Sequence, residues 1–296
     1  MSTLAEVICE LSRQHCRSGG LILGQNLEAV QSVCGTVPID EPNCKIMPTC
    51  EAAGIGMAIG AALSGRPVIH VIRFASFLWL QASPIVYYAA RAKSLWGYDL
   101  PLFIRVSSDD GIGPTHSGAY HSPFVHMPGL KVVAPITPQE YRAVWTEFQE
   151  TRQPVLVSEQ RVAYSNRYEL LNRWNRHPTK VLIIAMSAAR LAAMDAYSIL
   201  SDSGVGVELY HLWNLKPSEG EWLRLKQRAD AIGRVLVVDN TFEPCSVAEH
   251  VAYELLTRCN RRPMSIEVLG MKEPPGILTR GGPSANDIVT AVKCMR

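Results

Sequence analysis

A single carboxyl group heads a long uncharged stretch of the sequence. Glu51 precedes residues 52–63, which include no charged side chain and eight glycine or alanine residues. One interpretation is that Glu51 complements the positive end of a helix dipole. The alternative is that an acid heading an apolar helix is shielded from water, which suits it to share a proton with a bound heterocycle. The glycines lower helix propensity, and this cost indicates a deeply buried helix packed closely against another backbone.

Three histidines recur at five-residue intervals in a segment rich in turn-forming residues. His116, His121 and His126 lie between Gly113 and Gly129. On a helix this spacing would place neighbouring imidazoles about 140° apart, and no acid lies between them, so a three-histidine metal site is disfavoured. A loop histidine beside a cleft is better suited to acid–base chemistry or to substrate contact. His121 and His126 are candidates for substrate contact, with a purely structural role as the alternative.

Three aromatic side chains follow the apolar run over residues 67–72. Phe74, Phe77 and Trp79 could pack in the core, as most clustered aromatics do. They could also form a platform for a flat ring, because ligands of open α/β sheets bind where parallel strands end.

Several motifs of well-known chemistry are missing. The sequence has no Gly-x-x-x-x-Gly-Lys-Ser/Thr loop, no Gly-x-Gly-x-x-Gly turn between a strand and a helix, and no Gly-x-Ser-x-Gly elbow. No cysteine stands in a recognisable catalytic setting. A nucleotide held by its phosphates, a serine hydrolase and a cysteine hydrolase are therefore disfavoured.

The composition narrows the function classes further. With 29 Lys and Arg against 27 Asp and Glu, the net charge of +2 offers no strongly basic surface for nucleic acid. The longest apolar runs, 52–63 and 100–106, are shorter than the roughly 20 residues of a membrane-spanning helix, and residues 1–16 lack the pattern of a signal peptide. We therefore predict a cytoplasmic chain. Its eight cysteines include no Cys-x-x-Cys pair and are predicted to be reduced, buried thiols.

Short apolar runs alternate with helical periods in two halves of the chain, which predicts an α/β fold of two domains, each a mostly parallel sheet flanked by helices. Ser83-Pro84 and Thr137-Pro138 match an N-cap residue followed by proline. The predicted domains are 1–165 and 180–296, joined by a polar linker over 166–179. Strands are predicted over 20–24, 67–74, 100–107, 130–134, 154–158, 180–186, 205–210, 234–239 and 264–269. Helices are predicted over 5–16, 52–63, 84–96, 138–150, 188–201, 218–229 and 246–258.

Four stretches resemble known enzymes. Residues 50–67 resemble the pyrimidine-binding domain of thiamine diphosphate enzymes, especially the beta subunit of the 2-oxo acid dehydrogenase first component, and residues 126–135 are similar to the same subunit. Phe74-Ala75-Ser76-Phe77 and Gly113-Pro114-Thr115-His116 resemble transketolase instead. The second half is similar to the C-terminal domain of transketolase. The resemblance therefore covers nearly the whole chain.

The resemblance implies roles for particular residues. Glu51 matches the glutamate that hydrogen-bonds the aminopyrimidine ring nitrogen and drives the imino tautomer. Phe77 and Phe74 match the aromatic residues that stack around the pyrimidine. His116 matches a histidine that faces the substrate and its thiamine adduct. His126 lies within the beta-subunit pattern without an assigned role.

The resemblance also implies a partner. Related enzymes hold the diphosphate through magnesium bound by Gly-Asp-Gly and a downstream Asn, and this chain has no Gly-Asp-Gly. Asp109-Asp110-Gly111 lacks the first glycine. The resemblance thus implies an alpha-type diphosphate-binding subunit in an α2β2 assembly, with thiamine diphosphate at the interface, Mg²⁺ held mainly by the partner and no metal on this chain. Ser83-Pro84 replaces a family Asp-Gln pair.

Three functions follow from these observations. In the first, a 2-oxo acid is decarboxylated and the acyl group passes to a carrier such as a lipoyl protein. In the second, a split transketolase-like enzyme moves a two-carbon ketol unit. In the third, the chain is a non-catalytic paralogue that stabilises a partner, which the presence of Glu51, Phe77 and His116 disfavours.

Overall fold

A computed structural model describes residues 1–109, 116–174, 179–260, 265–272 and 281–295. Gly113, Pro114 and Thr115 of the histidine motif, Asp110-Gly111 and the predicted strand residue Met264 lie outside these ranges. No helix within the described ranges has the length and apolar character needed to span a bilayer.

The first sheet has six parallel strands in the order β2-β1-β3-β4-β6-β5. Its central strands are buried on both faces because helices cover them, which explains their continuous apolar runs. The strands are β1 Leu21–Gln25, β2 Cys44–Met47, β3 Val68–Ile72, β4 Leu102–Ser108, β5 Lys131–Val133 and β6 Val155–Gln160. The helices of this half are α1 Leu4–Arg17, α2 Glu51–Leu63 and α3 Pro138–Thr151.

The second sheet has four parallel strands in the order β10-β9-β7-β8. Backbone hydrogen bonds from Ala134 to Trp213 and from Leu215 to Val132 join this half to the first sheet. The strands are β7 Val181–Met186, β8 Val207–Leu212, β9 Arg234–Phe242 and β10 Ser265–Met271. The helices are α4 Ala189–Asp202, α5 Glu219–Ile232, α6 Val247–Arg258 and α7 Ala285–Cys294.

The predicted fold class, two parallel sheets flanked by helices, is confirmed. The sequence did not reveal β2, because this four-residue edge strand is partly exposed and lacks a continuous apolar run. The helix α7 was also not predicted, although Ser284 and Asp287 form a capping box and Ile288, Val289 and Val292 have helical spacing. The division into 1–165, 166–179 and 180–296 stays a prediction.

Helix capping explains several of the helix boundaries. Thr137 caps α3 by accepting a hydrogen bond from the backbone N–H of Glu140, as the Thr137-Pro138 pair predicts. Ser218, Ser246 and Ser284 cap α5, α6 and α7 in the same way. The predicted N-cap at Ser83 is wrong, because Ser83 lies inside the short helical turn Ala82–Pro84.

The single helix predicted over residues 84–96 is also wrong. The segment instead divides into short helical turns, with a π-turn at Ile85–Ala89 and an α-turn at Ala92–Trp96. A backbone hydrogen bond from Ala90 to Ile85 closes the wide turn. Gly129 passes so close that an added Cβ would lie 2.0 Å from the Ala90 carbonyl oxygen, which explains the need for glycine there.

The helix α2 is less buried than its small residues predict. Gly54, Ile55 and Ala58 face the core, but the opposite face is exposed. A Cβ at Gly56 or Gly60 would meet no atom within 4 Å, so packing inside this chain does not require either glycine. The exposed face comprises Ala52, Ala53, Gly56, Met57, Gly60 and Leu63.

The prediction that the cysteines are buried is wrong for several of them. All eight are free thiols, but Cys50, Cys245 and Cys294 are exposed. Only Cys16 and Cys259 are fully buried. Helix and strand periodicity places the others at partly accessible positions.

A left-handed turn connects β1 to β2 and has no sequence signal. Residues 30–34 all have φ between +50° and +57°, a conformation that costs L-residues roughly 1–2 kcal/mol each. Tertiary contacts hold it: Val33 is fully buried, and Arg105 donates hydrogen bonds to the carbonyl and hydroxyl oxygens of Thr36, 3.3 and 2.8 Å away.

Arg105 on β4 and Glu159 on β6 form a buried ion pair in the middle of the first half. The Arg105 Nε lies 2.7 Å from a carboxylate oxygen of Glu159, and both side chains are 1% exposed. The hydroxyls of Tyr141 and Tyr164 donate to the same carboxylate at 2.7 and 2.6 Å. Burial acts to raise the pKa of Glu159, but the Arg105 charge and these hydrogen bonds outweigh it and hold the pKa below its usual range.

We predict that Glu159→Gln lowers the free energy of unfolding by about 3–5 kcal/mol, because it leaves the Arg105 charge buried without a counter-charge. The control Glu10→Gln breaks an exposed pair with Arg142 and is expected to cost less than about 1 kcal/mol. Urea unfolding followed by circular dichroism measures both. Equal losses would contradict the assigned role of the pair.

The same pair predicts a pH dependence. The folded-state pKa of Glu159 is lowered, so its contribution to stability is fully present above the ordinary glutamate pKa of about 4.3 and is lost as pH falls through the lowered value. The stability difference between wild type and Glu159→Gln should therefore shrink in acid.

Candidate functional site

Polar and aromatic side chains follow the carboxyl ends of neighbouring strands in the first sheet. Glu51 follows β2, Phe74 and Phe77 follow β3, and Arg161 follows β6. All these strands are parallel, so their carboxyl ends meet at one edge. This is the edge where open α/β sheets bind ligands.

Glu51 is held at this edge by a residue of the adjacent strand. The Cys50 N-cap position provides no side-chain cap for α2. The hydrogen-bond partners around Gln25 determine the orientation of its side-chain amide. In this orientation, the Gln25 oxygen accepts hydrogen bonds from the backbone N–H groups of Cys50 and Glu51, both at 3.2 Å. Gln25 ends β1, which is paired with β2, so the sheet itself caps the helix and fixes the half-buried Glu51.

A cavity of about 30 Å³ lies beside Glu51. The space is small, about that of one water molecule, so this chain alone forms only a shallow notch. Acidic, aromatic and basic groups share its wall. The lining residues are Gln25, Asn26, Glu51, His70, Val71, Ile72, Arg73, Phe77 and Gln81.

The aromatic candidates gather around His116. The His116 ring stacks on Phe74 with centroids 4.4 Å apart and meets the edge of Phe77 at 5.5 Å. The two phenylalanines contact each other edge-on at 6.0 Å. Trp79 does not join them: it is 52% exposed and packs near Tyr120. The structure thus brings Glu51, Phe77, Phe74 and His116 together and leaves Trp79 out.

His70 is a site residue that sequence analysis missed. It lies in the centre of β3, is 2% exposed, and its Nε2 is 2.7 Å from the side-chain oxygen of Gln81. Burial lowers the pKa of His70 to about 4, against a smaller opposing effect of the Gln81 hydrogen bond. One signal was available, since His70 is the one polar residue in an otherwise apolar strand.

Buried polar atoms without partners concentrate at this edge. Among the described residues, six such side-chain atoms occur, and all but His211 Nε2 lie on β3, β4 or the segments that follow them. An unpaired buried polar group costs about 1–3 kcal/mol, so their clustering indicates a surface suited to bind other polar atoms. The five are His70 Nδ1, Arg73 Nε, Ser76 Oγ, Ser108 Oγ and His116 Nδ1.

His121 and His126 lie apart from this group. His121 is 1% exposed, with Nδ1 2.9 Å from Ser158 Oγ and Nε2 3.1 Å from a carboxylate oxygen of Asp239 on β9. Burial acts to raise the pKa of Asp239, but His121 and the hydroxyls of Ser187 and Thr241 outweigh it and lower the pKa. Both ring nitrogens of His121 are therefore engaged in joining the two sheets, whereas His126 is exposed. A substrate role for either stays a prediction.

The described part of the chain contains no group of three or more His, Cys, Asp or Glu side chains that could hold a metal ion. The edge residues instead provide a carboxyl group, an aromatic pair and unpaired nitrogen atoms. Such a set suits a flat organic ring with hydrogen-bonding atoms.

One family model matches part of the chain. Residues 29–166 match the family described as transketolase, pyrimidine binding domain. This range includes Glu51, Phe74, Phe77 and His116. The matched range covers most of the first sheet and its carboxyl edge.

The relatives named here are subunits, and the chain spans less than two thirds of the length of the first of them. The chain is 26% identical to the acetoin:2,6-dichlorophenolindophenol oxidoreductase subunit beta of Cupriavidus necator, over 70% of this chain and 65% of that one. It is 24% identical to the pyruvate dehydrogenase E1 component subunit beta of Rickettsia conorii, over 83% and 81%. It is 26% identical to the 2-oxoisovalerate dehydrogenase subunit beta of Bacillus subtilis, over 72% and 69%.

A solved structure shares the fold of the whole chain. A split-gene transketolase, described as an inactive beta4 tetramer, superimposes with a TM-score of 0.76 at 19% identity, covering 99% of this chain and 96% of that one. Together these comparisons confirm the resemblance to beta subunits and transketolase that the sequence motifs predict.

We predict that the His70 ring stays neutral down to about pH 4. Because protonation must overcome its burial, stability should fall as pH drops from the ordinary histidine pKa of about 6.5 towards this value. Nuclear magnetic resonance titration of ring protons measures this, and His70→Gln identifies the signal. A His70 signal that titrates near pH 6.5 would show that the ring is accessible to water.

Proposed function

Because residues 29–166 match the transketolase pyrimidine-binding domain family, we propose that this chain is the pyrimidine-domain subunit of a heteromeric thiamine diphosphate-dependent enzyme. In the proposed reaction a 2-oxo acid is decarboxylated to an activated aldehyde, and the acyl or aldehyde unit passes to an acceptor. A lipoyl-bearing carrier is one acceptor of suitable chemistry. The observation that carries the proposal is that Glu51 and Phe77 line one cavity at the carboxyl edge of the matched domain.

The edge residues suit the pyrimidine ring of this cofactor. Gln25 holds the backbone of Glu51 in place, and the Glu51 carboxyl group would share a proton with a pyrimidine ring nitrogen. Phe77, which lines the cavity, would provide an apolar surface against the ring. Phe74 packs on His116 and holds its unpaired Nδ1 beside Phe77. When bound, thiamine diphosphate supplies a nucleophilic thiazolium carbon. The Glu51 carboxyl group would set the protonation of the pyrimidine ring, on which the reactivity of the thiazolium carbon depends. His116 would exchange a proton with a substrate oxygen.

A partner subunit follows from what this chain does not provide. The sequence has no Gly-Asp-Gly, and the notch beside Glu51 is about 30 Å³, far smaller than a cofactor. We propose that an alpha-type subunit carrying Gly-Asp-Gly completes the site, holds Mg²⁺ and the diphosphate, and forms an α2β2 assembly with this chain. The relatives named above are all beta subunits.

Two exposed surfaces next to the site support this assembly. The outer face of α2 begins beside Glu51 and exposes Gly56 and Gly60, whose lack of side chains allows another backbone to approach. An apolar surface continues from it on the segment after Phe77. Large side chains that are each more than 40% exposed there are Trp79, Leu80, Tyr87, Tyr88, Leu95, Trp96 and Tyr98. Exposed apolar side chains concentrated on one segment are typical of a protein–protein interface.

We predict that Glu51→Gln leaves folding and assembly intact and lowers turnover at least 100-fold, because only proton sharing with the cofactor is lost. The matched control is Glu219→Gln, which removes an acid from the first position of another helix, α5, far along the chain. Turnover of the reconstituted complex is measured with a 2-oxo acid and, separately, with a ketose phosphate.

The outcomes separate the three functions. Turnover of the 2-oxo acid supports the decarboxylase-type reaction, and turnover of the ketose phosphate supports the transketolase-like one. Wild-type activity in Glu51→Gln would overturn the site. An assembled wild-type complex that turns over neither donor would favour a non-catalytic paralogue.

We predict opposite effects of α2 substitutions on the free chain and on the assembly. Gly60→Ala should raise the free energy of unfolding of the isolated chain by about 0.5–1 kcal/mol, because the added Cβ meets open space and improves helix propensity. Gly56→Leu should fold equally well but weaken association with the partner at least tenfold. Sedimentation velocity measures association. Normal assembly of Gly56→Leu would place the interface elsewhere.

A further inference from the structure

Two arginines lie over the same aromatic ring at the site. The guanidinium carbon of Arg73 is 5.0 Å from the Phe74 ring centroid, and that of Arg161 is 4.7 Å away. The same ring stacks on His116. Cation–π contacts of this kind hold guanidinium groups in place next to a binding surface. Two positive charges therefore border the ring cluster formed by Phe74, Phe77 and His116.

Arg161 is fixed by its neighbours. Its side chain is 8% exposed. Its Nε donates to Ser107 Oγ at 2.8 Å, its Nη2 donates to the Arg73 carbonyl at 2.6 Å, and its Nη1 lies 3.4 Å from an Asp109 carboxylate oxygen. The hydrogen bond from Arg161 thus holds the backbone of Arg73 in place and keeps the Arg161 charge close to Arg73.

Arg73 has unused hydrogen-bonding capacity. Its Nη1 donates to the Asn26 carbonyl at 3.1 Å, whereas its Nε is buried and has no partner among the described residues. Arg73 also lines the cavity beside Glu51. Arg73 therefore borders the cavity, and at least one of its N–H groups remains to be satisfied.

The charge at Arg73 is not balanced locally. Burial lowers the pKa of Arg73, and the nearby Arg161 charge lowers it further. The charge of Glu28 acts to raise this pKa but does not offset the two effects. A bound anion would relieve both costs at once. Guanidinium groups recognise carboxylate and phosphate through paired, charge-assisted hydrogen bonds.

We propose that Arg73, positioned by Arg161, binds the anionic group of the substrate, a carboxylate or a phosphate. The proposal rests on the proposed function, because it places the substrate's charged end beside the ring cluster of Phe74, Phe77 and His116. It assigns the chain to substrates with an anionic group and disfavours neutral ketones. Arg73 acts in binding and specificity, and Glu51 keeps the cofactor role.

The first experiment is calorimetric titration of the full chain with pyruvate, with inorganic phosphate and with neutral hydroxyacetone. Wild type should bind at least one anion and not hydroxyacetone. Arg73→Gln should weaken anion binding about tenfold or more, as expected for losing a charge-assisted hydrogen bond, and Arg73→Lys should restore part of it. The matched control is Arg91→Gln, which removes another arginine that lies over an aromatic ring, Tyr87, outside the site.

The pattern of binding decides between sources of the anion. Binding of pyruvate alone indicates a carboxylate, and binding of phosphate alone indicates a phosphorylated substrate. Wild type that binds neither anion, or Arg73→Gln that binds as wild type does, overturns the proposal. An equal loss of affinity in Arg91→Gln would also overturn it, because the effect would then be one of net charge.

A second measurement separates this proposal from the proposed function. In the reconstituted complex, Arg73→Gln should raise the substrate KM about tenfold while leaving the affinity for thiamine diphosphate unchanged. A loss of cofactor affinity would show that Arg73 acts structurally and would overturn the substrate role. Failure of Glu51→Gln to affect turnover would overturn the proposed function. The calorimetric titration would still show whether Arg73 binds an anion, because it does not depend on turnover.

Discussion

The buried ion pair between Arg105 and Glu159 holds together the part of the fold on which the site depends. It joins β4 to β6, and the two tyrosine hydroxyls that donate to the carboxylate come from α3 and from the segment after β6. Arg105 also holds Thr36 at the end of the left-handed turn. A buried charge pair is tolerated only when its remaining hydrogen-bonding groups are satisfied, and here each partner is.

This network extends from the core to the carboxyl edge. Tyr164 contacts Ser107 as well as Glu159, and Ser107 accepts the hydrogen bond of Arg161. Arg161 in turn binds the Arg73 carbonyl. The groups of this network are hydrogen-bonded, whereas His70 in the centre of β3, and Arg73 and His116 nearer the edge, have unpaired nitrogens. The transition from satisfied to unsatisfied polar groups marks the boundary between scaffold and binding surface.

The same boundary separates a continuous core from a carboxyl edge with only a small cavity. The core is continuous in both halves, and His121 with Asp239 ties the two sheets together. At the carboxyl edge, however, the notch beside Glu51 is small, and the face of α2 next to it is exposed. Gly56 and Gly60 on that face carry a cost in helix propensity that no contact with the described residues offsets. The proposed partner subunit would account for the small cavity and for the exposed glycines together.

The sequence by itself determined the alternation of strands and helices, the two-sheet α/β architecture, and the presence of Glu51, Phe74, Phe77 and His116 as a set. These follow from local periodicity, capping pairs such as Thr137-Pro138, and motifs carried within short stretches. Only the tertiary structure decided that α2 is half exposed, that residues 84–96 do not form one helix, and that Trp79 lies away from the ring cluster. Each of these depends on what packs against the segment, which local pattern does not contain. Gln25 ends β1, His70 and Arg73 belong to β3 and the residue that follows it, and Arg161 follows β6. They come together because these parallel strands lie close together in the sheet with their carboxyl ends at one edge.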